Sequence, residues 1–152
     1  MACDIIRQGQ VVLAKWGAPN LKDLDNLEIA VREAHRESDR PVTLVAIVPA
    51  EAPPPADQLR KEIGARLKRV LPVCATFHQV MLGDGFVVAA KRAVFAAIML
   101  VGSERNKVFV HSTLASVLDK CVPQARRDTI VAIRAFADRQ GAASDEKQAA
   151  HL

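Results

Sequence analysis

The sequence predicts an α/β fold: a mainly parallel sheet with one antiparallel edge strand, in a single domain. Short runs of β-branched and apolar residues alternate with longer segments of helical periodicity, as they do in chains of β-α units. The run Val42–Val48 is almost entirely apolar, which is typical of a central parallel strand covered by helices on both faces. Two strand-like runs at the start are separated only by residues 8–10, a link that suits an antiparallel hairpin.

The opening hairpin comprises residues 4–7 and Val11–Trp16, with a glycine in the link between them. Residues 17–20 interrupt the second strand, and Asn20 is a favoured N-cap for the segment that follows. Apolar residues recur there at helical spacing, with acidic residues in the first turns and basic residues near the end, as the helix dipole favours. We therefore expect an amphipathic helix from Leu21 to about Arg36.

The strand Val42–Val48 leads into a loop rich in proline, residues 49–55, which we call the proline loop. Residues 56–71 then show helical periodicity, with apolar residues inward and basic residues largely outward. The C-terminal half of this predicted helix is strongly basic. Residues 77–82 are the next strand candidate, although their alternation is imperfect.

A glycine turn, Gly83-Asp84-Gly85, opens the segment 86–101, which is apolar apart from Lys91 and Arg92. A helix this apolar is expected to pack on a sheet with one face and against a further element with the other. The other face carries small residues that allow close approach, so either the last helix of the chain or a second chain should cover it. These small residues are Ala89, Ala93, Ala96 and Ala97.

The last third of the chain adds a short strand, Val108–His111, a helix from 114 to about 121 and a final helix that begins at Asp128 or Thr129. The predicted order is therefore β-β-α-β-α-β-α-β-α plus a C-terminal helix. Residues 1–140 form one domain in this interpretation, and 141–152 form a polar, frayed tail.

Composition narrows the function classes. The chain has 152 residues and a net charge of +4, with its basic residues spread over several segments and few aromatic residues for stacking on bases, so we expect no nucleic-acid partner. Its three cysteines show no C-x-x-C or metal-ligand spacing, and we expect no disulfide framework, metal site or cofactor. Neither a secretory signal nor a membrane-spanning run is present in these residues, which favours a cytoplasmic protein.

The element order, the glycine after the second strand (Gly17), the apolar strand Val42–Val48 and the glycine turn at 83–85 carry a family resemblance. Over residues 4–122 the chain resembles the STAS and anti-sigma-factor-antagonist superfamily, more specifically its divergent STAS/SEC14-like bacterial branch. The resemblance implies a domain that binds a protein partner, sometimes a small ligand, and is rarely an enzyme.

One departure limits what the resemblance implies. Members that act as phosphorylation switches carry an Asp-Ser-Ser-Gly-like turn between the third strand and its helix. The corresponding residues here, 48–57, contain neither serine nor threonine. The resemblance therefore implies an interaction module without the serine switch.

The first candidate site is a partner-binding surface made of the proline loop and the basic helix. A stiff, exposed loop beside a basic stripe could receive an acidic protein surface, although a solvated helix face also explains the stripe. Its residues are Pro53, Pro54, Pro55, Arg60, Lys61, Arg66, Lys68 and Arg69. This surface would serve either a homodimer or a complex with a regulatory partner.

The second candidate site lies between the glycine turn and His111 and would hold a small anionic or lipid-like molecule. Free backbone N–H groups at a helix start favour anions, but an aspartate N-cap in a tight turn explains the motif equally. Its residues are Gly83, Asp84, Gly85, Lys91, Arg92 and His111. The alternative interpretation is that the two basic side chains extend to the edge of the sheet and that the histidine bonds to loop backbone.

A third hypothesis is an enzyme in which Cys74, His78 and Asp84 act as nucleophile, base and orienting acid. This chemistry requires hydrogen-bond contact among the three groups, and the surrounding residues contain no activating motif. The sequence therefore favours a non-enzymatic interaction module of regulatory type, with ligand sensing as the alternative and catalysis as the least favoured hypothesis.

Overall fold

The computed structural model of the chain describes residues 3–99 and 104–149. Its strands are β1 (Cys3–Gln8), β2 (Val11–Trp16), β3 (Val42–Val48), β4 (Cys74–Met81) and β5 (Val108–His111). Its helices are α1 (Leu21–Ser38), α2 (Asp57–Val70), α3 (Phe86–Met99), α4 (Ala115–Leu118) and α5 (Pro123–Ala149). Single 3-10 turns, Leu71–Val73 and Arg105–Lys107, precede β4 and β5.

The 5-stranded sheet has the order β1-β2-β3-β4-β5. β1 runs antiparallel to β2, and all the later neighbours are parallel. Every residue of β3 is buried, as its apolar sequence predicted for a central strand. The predicted α/β class, with a mostly parallel sheet and one antiparallel edge strand, is therefore confirmed.

Helices α1, α2 and α3 cover one face of the sheet, which we call the α1–α3 face. Each of them connects two neighbouring parallel strands, and right-handed connections of this kind place their helices on the same side. Leu27, Val70 and Phe95, one from each helix, accordingly share an apolar cluster with Leu44 and Phe77 of the sheet.

Helices α4 and α5 cover the opposite face, which we call the α5 face. Val117 of α4 and Phe136 of α5 belong to a second apolar cluster with Val45 and Val80. α5 packs on β1 and β2. The last helix therefore lies across the sheet from α3, and within the part of the chain that the structure describes it does not cover the outer side of α3.

Several boundaries differ from those predicted. β4 begins at Cys74 rather than at residue 77, because the 3-10 turn after α2 leads directly into the strand. α5 begins at Pro123 rather than at 128 or 129, since proline suits the first position of a helix. It continues to Ala149 through the segment predicted as a tail, where alanine, glutamate and lysine favour helix. Residues 150–152 and the end of the predicted helix 86–101 lie outside the described residues.

Candidate functional site

The α1–α3 face contains an apolar cleft between the sheet and its helices, with a cavity volume of about 70 Å³. One water molecule requires roughly 10–15 Å³. Leu44 and Met81 belong to the floor of the cleft, and Leu67 and Phe95 to its helical walls. Trp16 and the proline loop also line it. The cleft is therefore a cavity with mostly apolar walls and with room for more than one water molecule.

Gln79 is the exception in the apolar floor. Its neighbours at the same phase of β4, Phe77 and Met81, belong to the apolar cluster of this face, so the alternation of the strand turns Gln79 to the same side. Gln79 is 3% exposed and lines the cleft. Its Nε2 has no hydrogen-bond partner among residues 3–99 and 104–149. We call this group the open amide; such a buried polar group calls for an explanation.

Lys91 and Arg92 of α3 turn back toward the protein. Lys91 Nζ donates to the carbonyl oxygens of Ala50 (3.1 Å) and Ala52 (2.6 Å), in the loop after β3. Arg92 Nη2 donates to the carbonyl oxygens of Met81 (3.0 Å) and Gly83 (2.7 Å). The two basic side chains of α3 thus hold the loops that follow β3 and β4, and Lys91 also lines the cleft.

The glycine turn fits closely against the loop after β3. Gly83 has φ +98°, a conformation that L side chains rarely adopt, and a Cβ placed there would lie 2.5 Å from Cβ of Ala50. Gly83 is therefore required by the backbone at this point. This packing, together with the Arg92 hydrogen bond, explains the turn without a bound anion.

The basic residues of α2 are largely engaged by acidic residues. Arg66 bonds to Asp25 of α1 at 2.7 Å and also pairs with Glu62, one turn earlier on α2. Arg69 bonds to Glu28 of α1 at 2.7 Å. The hydrogen bond from Arg69 is the main reason that the pKa of Glu28 is lowered to about 2, so this carboxylate stays ionised. These residues join α2 to α1.

The remaining residues of the predicted partner surface divide into two groups. Arg60 pairs with Asp57 at 2.7 Å and donates from Nε to the carbonyl oxygen of Pro55 at 3.1 Å, which fixes the end of the proline loop to α2. Lys61 and Lys68 are exposed, and no ion pair within residues 3–99 and 104–149 includes either of them. The structure therefore brings the proline loop and α2 together, but most of the arginine charge is already paired.

His111 lies on the face opposite to the cleft. It is paired in register with Val80, whose side chain belongs to the apolar cluster of the α5 face. Lys91 lines the cleft on the α1–α3 face and is hydrogen-bonded there. The residues predicted to form a ligand site between the glycine turn and His111 are therefore divided between the two faces of the sheet.

His111 belongs instead to a buried chain of hydrogen bonds. His78 Nδ1 lies 2.9 Å from His111 Nε2, and His111 Nδ1 lies 2.7 Å from Ser116 Oγ. Ser116 Oγ donates to the carbonyl oxygen of Thr113 at 2.9 Å, and His78 Nε2 lies 3.0 Å from Thr76 Oγ1. One orientation satisfies every link: Thr76 donates to His78, His78 to His111, and His111 to Ser116.

Burial keeps both imidazoles of this chain neutral. Desolvation lowers the pKa of His78 to about 4, and the neighbouring His111 adds to the effect. Desolvation also lowers the pKa of His111, with a smaller contribution from Lys120. Between two neutral rings, the N–H of one ring donates to the unprotonated nitrogen of the other. If both rings were protonated, both facing nitrogens would carry hydrogen and could not hydrogen-bond to each other. The arrangement therefore stabilises the neutral state of both rings.

Cys74 and His78, the pair of the least favoured hypothesis, lie on opposite faces of the sheet. Cys74 is buried in the apolar cluster of the α1–α3 face, whereas His78 takes part in the hydrogen-bond chain on the other face. Burial raises the pKa of the Cys74 thiol to about 12, which opposes the thiolate that a nucleophile requires. The sulfur near His78 is that of Cys121, 3.9 Å from His78 Nε2.

Sequence reasoning missed Gln79, Ser116 and Trp16 as residues of interest. Gln79 carried a signal, because it is a polar residue at the inward phase of a strand whose neighbours in that phase are Phe77 and Met81. The approach of Ser116 to a histidine and of Trp16 to the cleft depends on the packing of distant segments. No local pattern in the sequence reveals those contacts.

The described residues show neither a membrane-spanning helix nor a cluster of metal-ligating side chains. Among the helices of residues 3–99 and 104–149, none combines the length and the hydropathy that a bilayer-spanning segment requires. The same residues contain no group of three or more His, Cys, Asp or Glu side chains placed to hold a metal ion. Comparison of the chain with protein-family models, curated proteins and solved structures found no match.

Proposed function

We propose that this domain binds a small, mostly apolar molecule in the cleft of the α1–α3 face. The observation that carries the proposal is the open amide of Gln79 in the floor of an otherwise largely apolar cavity. Ligand sensing was the alternative that the sequence supported. The proposal moves the binding site from the glycine turn and His111 to the space beneath the three helices.

The energetic argument has two parts. A buried amide without a partner destabilises a fold by about 1–3 kcal/mol, and a cavity in an apolar core forfeits packing contacts. A ligand that fills the cleft and accepts a hydrogen bond from Gln79 would offset both losses. Binding sites of this kind are commonly apolar cavities with a few placed polar groups, and this cleft has that composition.

The family resemblance supports the same class of function. We infer a STAS-like arrangement for this chain from its opening hairpin, its sequential strand order and the placement of α1, α2 and α3 on one face. The resemblance implies a non-enzymatic domain that binds a protein partner or a small ligand. A cleft lined mostly by apolar side chains is consistent with the binding of a small ligand.

The only tryptophan of the chain, Trp16, lines the cleft, so its fluorescence can report binding directly. Methyl octanoate, a small apolar ester, serves as the probe. We expect a saturable change in Trp16 emission, and native mass spectrometry of gently purified protein should show a bound small molecule. Absence of both results would refute the proposal.

A matched pair of variants tests the location. Ile63→Phe narrows the cleft, since Ile63 lines it, and Ile29→Phe makes the same change at a position on α1 that is 53% exposed. We expect Ile63→Phe to weaken methyl octanoate binding at least about tenfold, equivalent to about 1.4 kcal/mol. Ile29→Phe should leave the affinity unchanged, and equal effects of the two variants would place the binding elsewhere.

The second candidate function is the interaction module that the sequence favoured, with the outer side of α3 as its contact surface. Phe86 is 88% exposed, Val87 66% and Val94 45%, while the two basic residues of the helix turn inward. An outward stripe without charge does not repel an identical stripe, and we propose a second copy of this chain, packed about a two-fold axis, as its occupant.

The solution mass of the protein tests this second candidate. Light scattering should show a dimer for the parent protein and a monomer for Val94→Lys. Val131→Lys is the control, since it makes the same change at a position on α5 that is 42% exposed, and it should remain a dimer. A lysine in an apolar interface must be buried or displace the partner, which explains the expected difference. A monomeric parent protein at all accessible concentrations would eliminate the candidate.

A further inference from the structure

We infer that the ligand of the α1–α3 cleft has a neutral hydrogen-bond acceptor at its inner end, such as the carbonyl oxygen of an ester or a ketone. This inference rests on the proposed function and specifies the chemistry of the ligand. Three features of the cleft support it: the polarity of the open amide, the burial around it and the engagement of the nearby cations.

The open amide is a donor. Nε2 of Gln79 carries two N–H groups, and no acceptor for them is found in the described residues. A ligand group that meets Nε2 must therefore be an acceptor. An alkane fills space but leaves the donor without a partner, so it cannot supply what the protein lacks at this point.

The surroundings of the open amide favour a neutral acceptor over a carboxylate. Gln79 is 3% exposed, and the floor around it consists of apolar side chains such as Leu44 and Met81. A buried anion is costly unless cations or several donors surround it. One neutral amide does not compensate a full negative charge, whereas it suits a carbonyl oxygen.

The cations that line the cleft have other partners. Arg66 bonds to Asp25 and pairs with Glu62, and its guanidinium is therefore neutralised by carboxylates. Lys91 Nζ donates to two carbonyl oxygens of the loop after β3, on which it is held. An anionic group at the inner end would have to take one of these cations from its partners. A neutral acceptor requires no such rearrangement.

Three probes of similar size separate these chemistries: methyl octanoate, octanoate and undecane, each titrated while Trp16 fluorescence is recorded. The quantity to compare is the ratio of ester affinity to alkane affinity, because the ester gives up hydrogen bonds to water on entering the cleft and the alkane gives up none. We expect Gln79→Leu to lower this ratio roughly tenfold, since the ester loses one buried donor. The alkane should bind the variant at least as well as the parent protein. Gln79→Met is the second variant if the leucine variant does not fold.

The outcomes are distinct. An ester-to-alkane affinity ratio that is the same in the parent protein and in Gln79→Leu would overturn the inference. Octanoate that binds more tightly than the ester, and loses affinity in Gln79→Leu, would overturn it in favour of a charged inner end. Failure of all three probes to give a saturable response, together with no bound molecule in native mass spectrometry, would refute the proposed function itself. The expected result is an ester-to-alkane affinity ratio that falls roughly tenfold when Gln79 is replaced by leucine.

Discussion

Replacing Gln79 with leucine should stabilise the protein when its cleft is empty. The buried Nε2 of Gln79 has no partner in the part of the chain that the structure describes, and such a group lowers the free energy of unfolding by about 1–3 kcal/mol. Leucine has a similar volume and no polar atom, and the adjacent cavity of about 70 Å³ leaves room for its branch. We therefore expect Gln79→Leu to raise the free energy of unfolding by about 1–3 kcal/mol.

The assay is urea unfolding followed by Trp16 fluorescence and by circular dichroism. The protein should first be unfolded and refolded to remove any bound molecule, because a ligand that binds only the folded state would stabilise the parent protein and hide the effect. For a domain of this size, 1 kcal/mol corresponds to a shift of roughly 2–4 °C in Tm. Thermal unfolding should therefore show the same direction.

Met81→Leu is the matched control, since Met81 lies on the same strand and lines the same cleft. This change replaces one apolar side chain by another of similar volume, so it should not stabilise the protein and should alter the free energy of unfolding by less than about 1.5 kcal/mol. If Gln79→Leu destabilises the emptied protein by 1 kcal/mol or more, its amide has a partner in solution and the reasoning about the cleft is wrong.

Three further predictions concern other parts of the fold. The pKa of His78 is lowered to about 4 from an ordinary value of 6.5, so between these pH values the unfolded chain binds more protons than the folded chain. The free energy of unfolding should therefore fall by about 3 kcal/mol as the pH drops from 6.5 to 4. Urea unfolding across this range should show a smaller fall for His78→Gln, and an identical fall would exclude His78 as its source. Gly83→Ala should lower the free energy of unfolding by about 2 kcal/mol or more, because Gly83 has φ +98° and the new Cβ would approach Cβ of Ala50. An unchanged urea midpoint would mean that the turn accommodates alanine without strain. Asn20→Ala should lower it by about 1 kcal/mol, since it removes the acceptor of the Asp23 N–H in the capping box of α1, and a control change at exposed Lys22 should have little effect.

The course of the chain could largely be read from the sequence. Hydrophobic periodicity and turn residues are local signals, so they identified the apolar strand Val42–Val48, the N-cap Asn20 and the helix that follows the glycine turn. The boundaries at Cys74 and Pro123 were missed, because a proline can end one element and begin the next. The last helix also extends further than its polar composition indicated.

The site was harder to predict from the sequence, because it depends on contacts between distant segments. A charge pattern shows where basic residues lie along a helix, but it does not show which carboxylates face them. Arg66 and Arg69 therefore read as a surface for an acidic partner, whereas they bond to α1. In the same way, the sequence suggested that Lys91 contacts a ligand, whereas its Nζ donates to carbonyl oxygens of the loop after β3.

The α/β class, the order of the elements and the burial of the central strand follow from the repeat of apolar residues along the chain. The contacts between side chains are set instead by how the elements pack. The alternation of β4 sends Gln79 to the cleft and His78 to the opposite face, and the pairing of β4 with β5 brings His78 to His111. Such contacts depend on register and on helix placement between segments that are distant in sequence.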